Sequence, residues 1–399
     1  MNPTTALLAE IADIGRDPRR GGYSRHVFDP ADRQLREWFT ERATGLGLTV
    51  QIDRNGNTWA WWGEPGADAV VTGSHLDSVP GGGAFDGPLG VASALAAVDR
   101  LRGDGCTPSR PFAILVPAEE EGSRFGVACL GTRLMTGAID RERAGALTDA
   151  SGQTFADAAR EVGLDPNRLG HDPEALNRIG VFLELHVEQG KGLVELDRPV
   201  AVASSILAHG RWALRFTGQG NHAGTTAIHD RRDPMLAAAS AVLAARASAL
   251  AHAGSRATVG RLEPLPGGTN VIASEVTLWL DVRAGTDADT RATVQEIAAT
   301  AAEAARAEGC LLQLTEESYG SQVIFDTTLR DRLADLLADA PILPTGAGHD
   351  AGILAAHVPT AMLFVRNPSG ISHAPQEHAT DDDCQAGTDA LAACLRELL

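Results

Sequence analysis

Four short stretches of this 399-residue sequence, residues 69–72, 112–116, 181–185 and 361–365, are almost continuously apolar. A strand with one wet face alternates apolar and polar positions. A strand apolar on both faces is covered on both, as in a parallel sheet packed between helices. Residues 89–102 show helical periodicity between two of these stretches, closed by Gly103 and Gly105. The alternation of strand and helix predicts an α/β fold with a mostly parallel sheet. Open sheets of this kind hold their ligands beyond the carboxyl ends of the strands.

From Arg211 to Tyr319 the pattern differs. Residues 211–217 alternate like a half-exposed strand. Asp233 offers an N-cap and Pro234 a first-turn proline for an alanine-rich helix reaching about Leu250. Residues 256–262 and 271–283 are expected to form two antiparallel strands. A helix opened by Thr286 and Asp287 follows, ending at Gly309, and then a last strand over 311–315. The order β-α-β-β-α-β predicts a ferredoxin-like unit over 209–320, inserted between two parts of a larger domain, 1–208 and 321–399.

The formal charge of −18 sets the surface against phosphate backbones and anionic membranes, so neither nucleic acid nor membrane is an expected partner. The alanine-rich stretch 237–254 is interrupted by Arg246 and His252 and is not expected to span a bilayer. Residues 1–19 carry Glu10 and Asp13 and lack the basic-then-apolar layout of a secretory leader. Five scattered cysteines, with no C-x-x-C pair, indicate neither a thiolate zinc site nor a disulfide framework, so a cytoplasmic location is expected. The tryptophans Trp59, Trp61 and Trp62 fit a strand beside the core, or a hydrophobic rim, better than a base-stacking platform.

Each apolar stretch leads into residues suited to metal chemistry. His75 and Asp77 follow the first, then Gly81-Gly82-Gly83 and Asp86. Asp77 is placed to accept the imidazole's second N–H and fix its tautomer, and Asp86 to bridge two cations. The glycines alone would permit a phosphate loop, but no Lys-Ser/Thr follows and Asp86 would repel phosphate. Glu119-Glu120-Glu121 ends the second stretch; by itself it reads as a solvated acidic turn. His186 ends the third and His373 follows the fourth. A lone histidine is more often structural than a ligand. Four segments converging on one sheet edge, each with His, Asp or Glu, are not explained that way. His75, Asp86, Glu121, His186 and His373 make a nitrogen and oxygen set suited to zinc, manganese or cobalt. Glu120 is left for general-base work on an attacking water.

These clusters, in this order around a βαββαβ insertion, resemble the M20 metallopeptidase clan. More narrowly they resemble its amidase branch of allantoate amidohydrolases, N-carbamoyl-L-amino-acid hydrolases and β-ureidopropionases. The resemblance implies two metals per subunit, one held by His75, Asp86 and His186, the other by Asp86, Glu121 and His373. It implies Glu120 as base and Asp77 as support. Gly220-Asn221-His222-Ala223-Gly224-Thr225-Thr226 is similar to the branch's HAGTT segment, whose histidine reaches substrate across the interface of a homodimer. Asn270 and Arg283 match its substrate-binding pair, Arg283 as a clamp for a carboxylate. Gln189 and Gly348-His349-Asp350-Ala351 match as well. The chain departs from the branch at Gly81, where Asn is frequent, and at Ala227, where Pro is usual. The expected reaction is hydrolysis of a ureido or N-carbamoyl group on a small carboxylate, releasing ammonia and carbon dioxide. The alternatives are an aminoacylase, a dipeptidase or an N-formyl-amino-acid deformylase of the same clan, and more remotely an inactive scaffold.

Overall fold

In the computed structural model, which describes residues 2–399, the four apolar stretches form the centre of a nine-stranded sheet. They are β1 (Ala69–Gly73), β2 (Phe112–Val116), β3 (Ile179–Val187) and β4 (Thr360–Val365). Their order is β2-β1-β3-β4 and every neighbouring pair is parallel. The strands flanking this parallel centre run the other way. Thr58–Trp62 runs antiparallel to β2, and Val200–Ile206 antiparallel to β4.

Burial explains the apolar composition. Every residue of β1, β2 and β4 is buried. In β3, Val181, Leu183, Leu185 and Val187 enter the main core, which sends Glu184 and His186 to the opposite face by the two-residue period of a strand. The helix Pro88–Gly103 is buried on nearly all sides, as its lack of a polar face requires. The helix Asp381–Leu398 packs beside it, with Thr388 Oγ1 donating to Ser93 Oγ at 3.1 Å. Trp59 and Trp61 stack with centroids 5.6 Å apart and are buried, so the tryptophan group belongs to the core.

The chain divides into two compact units. One contains the chain up to Ser205 with Ile324–Leu399, and the other is Ile206–Val323. The second unit has a four-stranded antiparallel sheet in the order Leu311–Gly320, Ala208–Thr217, Glu275–Ala284, Arg256–Leu265. Two helices, Pro234–Ala251 and Asp287–Ala307, complete a βαββαβ unit. Their N-caps are Asp233, accepting from the N–H of Met235, and Thr286, accepting from the N–H of Asp289. Leu214, Phe216, Ala241, Leu278, Leu280 and Ile297 lie in its core.

The expected strand over 271–283 is two strands. Val271–Ile272 pairs with Asn221–His222, and the sheet strand begins only at Glu275. Ser274 causes the break, since its carbonyl accepts from the N–H of Gly218 while its own N–H turns to the carbonyl of Leu265. The helix Pro234–Ala251 is long and apolar enough to cross a membrane by composition alone. In the structure Ala237, Ala238, Ala241 and Ala245 are buried in this unit's core.

Candidate metal centre

His75 and Asp86 come from the segment after β1, Glu120 and Glu121 from the segment after β2, His186 from the end of β3, and His373 from the segment after β4. The structure brings all six together. One ligand atom each from His75, Asp86 and His186 lies within 4.8 Å of the others, and the same holds for Asp86, Glu121 and His373. Asp86 belongs to both groups. Its Oδ1 lies 3.4 Å from His75 Nε2 and 3.2 Å from His186 Nε2, while its Oδ2 lies 3.4 Å from His373 Nε2. Glu121 Oε2 is 3.5 Å from His373 Nε2, and Glu120 Oε2 is 3.6 Å from His75 Nε2.

Main-chain carbonyls orient two of the imidazoles. His75 Nδ1 lies 3.0 Å from the carbonyl of Asp77, and His186 Nδ1 lies 2.9 Å from that of Val187. Nδ1 then donates to the carbonyl and Nε2 faces the cluster. The Asp77 carboxylate does not take the imidazole N–H, since its Oδ1 stands 3.7 Å from Nδ1. It accepts instead from the N–H groups of Glu120, at 3.2 Å, and Glu121, at 3.1 Å. Asp77 therefore supports His75 through its backbone and the two glutamates through its side chain. Glycine is required at position 87, because a Cβ there would meet the His75 ring at 2.5 Å and φ is +84°.

The acidic turn is buried, not solvated. Glu119 and Glu120 are 0% and 5% exposed, and the three side chains have separate partners. Glu119 Oε1 accepts from the N–H groups of Arg124 and Phe125, at 2.9 and 2.7 Å, closing its own loop. Glu120 is directed to His75 and Glu121 to His373. Glu119, Cys129 and His373 all have φ near +55°, a conformation costing a non-glycine residue about 1–3 kcal/mol.

The electrostatics follow from crowding. Burial holds the Glu120 carboxyl well above the usual range, against the pull of His75. Burial also pushes Glu121 up to about 8, with Asp86 adding to the rise. Burial works to lower His75, but Glu120, Asp86 and Asp77 carry its imidazole well above the ordinary value. Asp86 is the exception: burial would raise it, yet the hydrogen bonds from His186 and His75 hold it low. Among the described residues no lysine or arginine pairs with these carboxylates, and the buried Glu121 Oε1 has no hydrogen-bond partner. Buried carboxylates and imidazole nitrogens gathered without a lysine or arginine are the donor set that divalent cations satisfy.

The other sequence-derived residues have distinct positions. Gln189 Nε2 lies 2.9 Å from Asp86 Oδ2, 3.0 Å from Ser372 Oγ and 3.2 Å from His373 Nε2, so Gln189 belongs to the cluster. His222, Asn270 and Arg283 lie in the second unit. His222 pairs in register with Val271, and the N–H of Ala223 donates to the carbonyl of Asn270 at 3.0 Å, so these two segments are adjacent. The Arg283 fork is engaged by Asp281, Nε to Oδ1 at 2.9 Å and NH2 to Oδ2 at 3.2 Å. His349 and Asp350 share no hydrogen bond. The ring of His349 packs against that of His186 with centroids 4.5 Å apart, while Asp350 accepts from Thr132. The sequence assigns no role to Ser372, Glu377 or Cys129. Ser372 Oγ is 3.1 Å from Asp86 Oδ2, and Cys129 Sγ donates to Glu120 Oε1 at 3.7 Å. Ser372 and Glu377 lie beside His373 in the run Gly370–Glu377, a signal that could have found them, whereas nothing in the sequence singles out Cys129.

Comparison with known proteins finds matches over nearly the whole chain. Residues 71–397 match the family described as Peptidase family M20/M25/M40. The chain is 35% identical over 393 residues to an N-carbamoyl-L-amino acid amidohydrolase of Geobacillus stearothermophilus, covering 96% of this chain and 95% of that protein. It is 30% identical over 400 residues to an allantoate amidohydrolase of Escherichia coli, covering 98% and 96%. Among solved structures it is similar to a hydantoinase/carbamoylase family amidase from Burkholderia multivorans, with a TM-score of 0.89, 30% identity and coverage of 99% and 97%.

Proposed function

The chain belongs to peptidase family M20/M25/M40 and is a hydrolase of amide C–N bonds, and from that premise we propose a narrower activity. It removes a ureido or N-carbamoyl group from a small carboxylate, with two divalent cations per subunit. The observation that carries this reading is Asp86, which joins two three-residue ligand sets and leaves Glu120 outside both.

His75, Asp86 and His186 would hold one cation, and Asp86, Glu121 and His373 the other. Bound there, they supply Lewis-acid charge and acidify water. Glu120 Oε2 takes the proton of the attacking water and returns it to the leaving nitrogen, with Asp77 holding the Glu120 and Glu121 backbones during the transfer. Burial keeps the Glu120 proton affinity high, which suits a group that must accept and then give up a proton. Asn270 and Arg283 are assigned to the substrate carboxylate.

The substrate is tested by ammonia release from allantoate, ureidoglycolate, several N-carbamoyl-L-amino acids and N-carbamoyl-β-alanine, after loading with manganese, zinc or cobalt. N-formylglutamate, an N-acetylamino acid and a dipeptide are followed by release of formate, acetate and amine. Turnover confined to ureido or carbamoyl compounds is expected. Turnover confined to the formyl, acetyl or peptide compounds replaces this reading with another acyl specificity.

We also assign His222 to a homodimer, in which it stabilises the oxyanion of the partner's reaction. Leu236, Leu243 and Leu250, seven residues apart and 53%, 71% and 77% exposed, support a second copy on the helix Pro234–Ala251. Loss of one oxyanion donor costs roughly 10²–10³-fold in kcat. Mixing inactive His222→Ala with inactive Glu120→Gln should restore activity, because a mixed dimer has one site with both groups. No recovery after demonstrated subunit exchange places His222 outside the partner's reaction.

A further inference from the structure

Gly83, the last of the three glycines before Asp86, and Glu377, the acidic residue after His373, have no part in the reaction described above, yet they meet. Glu377 is 5% exposed. Its Oε1 accepts from the N–H of Phe85 at 3.0 Å and the N–H of Asp86 at 2.8 Å, across 291 residues of sequence in the second case. Its Oε2 lies 3.4 Å from Ser372 Oγ, which also reaches Asp86 Oδ2 at 3.1 Å. The same carboxylate explains one glycine. A Cβ on Gly83 would fall 2.3 Å from Glu377 Oε1 and 2.5 Å from its Cβ and Cδ. The constraint at Gly83 is therefore space, and the occupant of that space is Glu377.

Both cation positions depend on Asp86, and Asp86 sits on a glycine-rich loop with few side chains to anchor it. We propose that Glu377 is the positioning residue that fixes Asp86 in its bridging pose and joins its loop to the His373 loop, thereby setting the affinity of the centre for divalent cations. The inference rests on the two-cation reading. Glu377 lies in neither ligand set; it acts by accepting two backbone N–H groups and by anchoring, through Ser372, the hydroxyl that touches Asp86. Partners of this kind behind a metal ligand typically govern affinity by about 10–100-fold.

The test uses the full chain, stripped with a chelator and titrated separately with manganese and zinc against a competing chelator. Thermal unfolding is recorded for every variant. Glu377→Ala should weaken cation binding by about 10–100-fold. Glu377→Gln keeps an oxygen that can accept both N–H groups and should bind as wild type does. Gly83→Ala displaces Glu377 from the other side and should weaken binding as Glu377→Ala does, which keeps the test alive if Glu377→Ala does not fold. Wild-type affinity in Glu377→Ala or in Gly83→Ala overturns the inference. So does equal weakening in Glu377→Gln and Glu377→Ala, which would assign the effect to charge instead of positioning. A wild-type chain that takes up neither metal overturns the two-cation reading and this inference with it, and that result is distinct from all the others.

Discussion

Glu120→Gln is expected to lower kcat by about 10²–10⁴-fold, the usual effect of removing a general base. Glutamine has the same shape and leaves an oxygen at the Cys129 thiol, but it cannot accept a proton. Cation content should stay at the wild-type level, because Glu120 lies in neither ligand set. Steady-state kinetics with elemental analysis of the same preparation check both parts. If the variant turns over normally and one cation is missing, Glu120 is a ligand and the base is elsewhere, with Glu121 the first residue to examine.

His186→Ala should show the converse pattern. Removing its Nε2 leaves His75 and Asp86 as an incomplete set around the buried position, while the set of Asp86, Glu121 and His373 keeps its members. Cation content should fall, and activity should drop at least about 100-fold, the upper range for residues that merely support a ligand. The ring also packs against His75 and His349, with centroids 5.6 and 4.5 Å away, so unfolding is measured alongside. A folded variant with full cation content and activity removes His186 from the centre.

The strands and ligand residues were legible because each is signalled locally. A continuous apolar stretch announces a covered strand, and a histidine or acid just beyond it announces a sheet-edge site. What the sequence hid are contacts with no local period. Asp77 is two residues from His75, which invites a side-chain bond to the imidazole; its carboxylate goes to two N–H groups more than forty positions away instead. Glu377 finds Asp86 across 291 residues of sequence. One other feature follows from a local rule. Asp281 and Arg283 are two apart in a strand and so share a face, which is why the arginine fork is engaged within its own strand. The break at Ser274 was hidden, because the backbone bonds that make it and the pairing of Val271–Ile272 with Asn221–His222 depend on distant partners that propensity alone does not specify.

Between the adjacent parallel strands β3 and β4 the chain makes the whole Ile206–Val323 unit. During synthesis β3 leaves the ribosome with β1 on one side and nothing on the other. At typical elongation rates the missing neighbour follows after roughly 10–35 seconds. Throughout that interval the open edge of β3 is an apolar template for unwanted pairing, including with β3 of another nascent chain. The intervening residues have their own hydrophobic core and can fold meanwhile. Because β4 also leads to His373, messages cut short before Thr360 encode a product that is both aggregation-prone and unable to close its centre. Biogenesis of this protein therefore has a vulnerable window set by chain order, and holdase chaperones that shield strand edges should matter most during it.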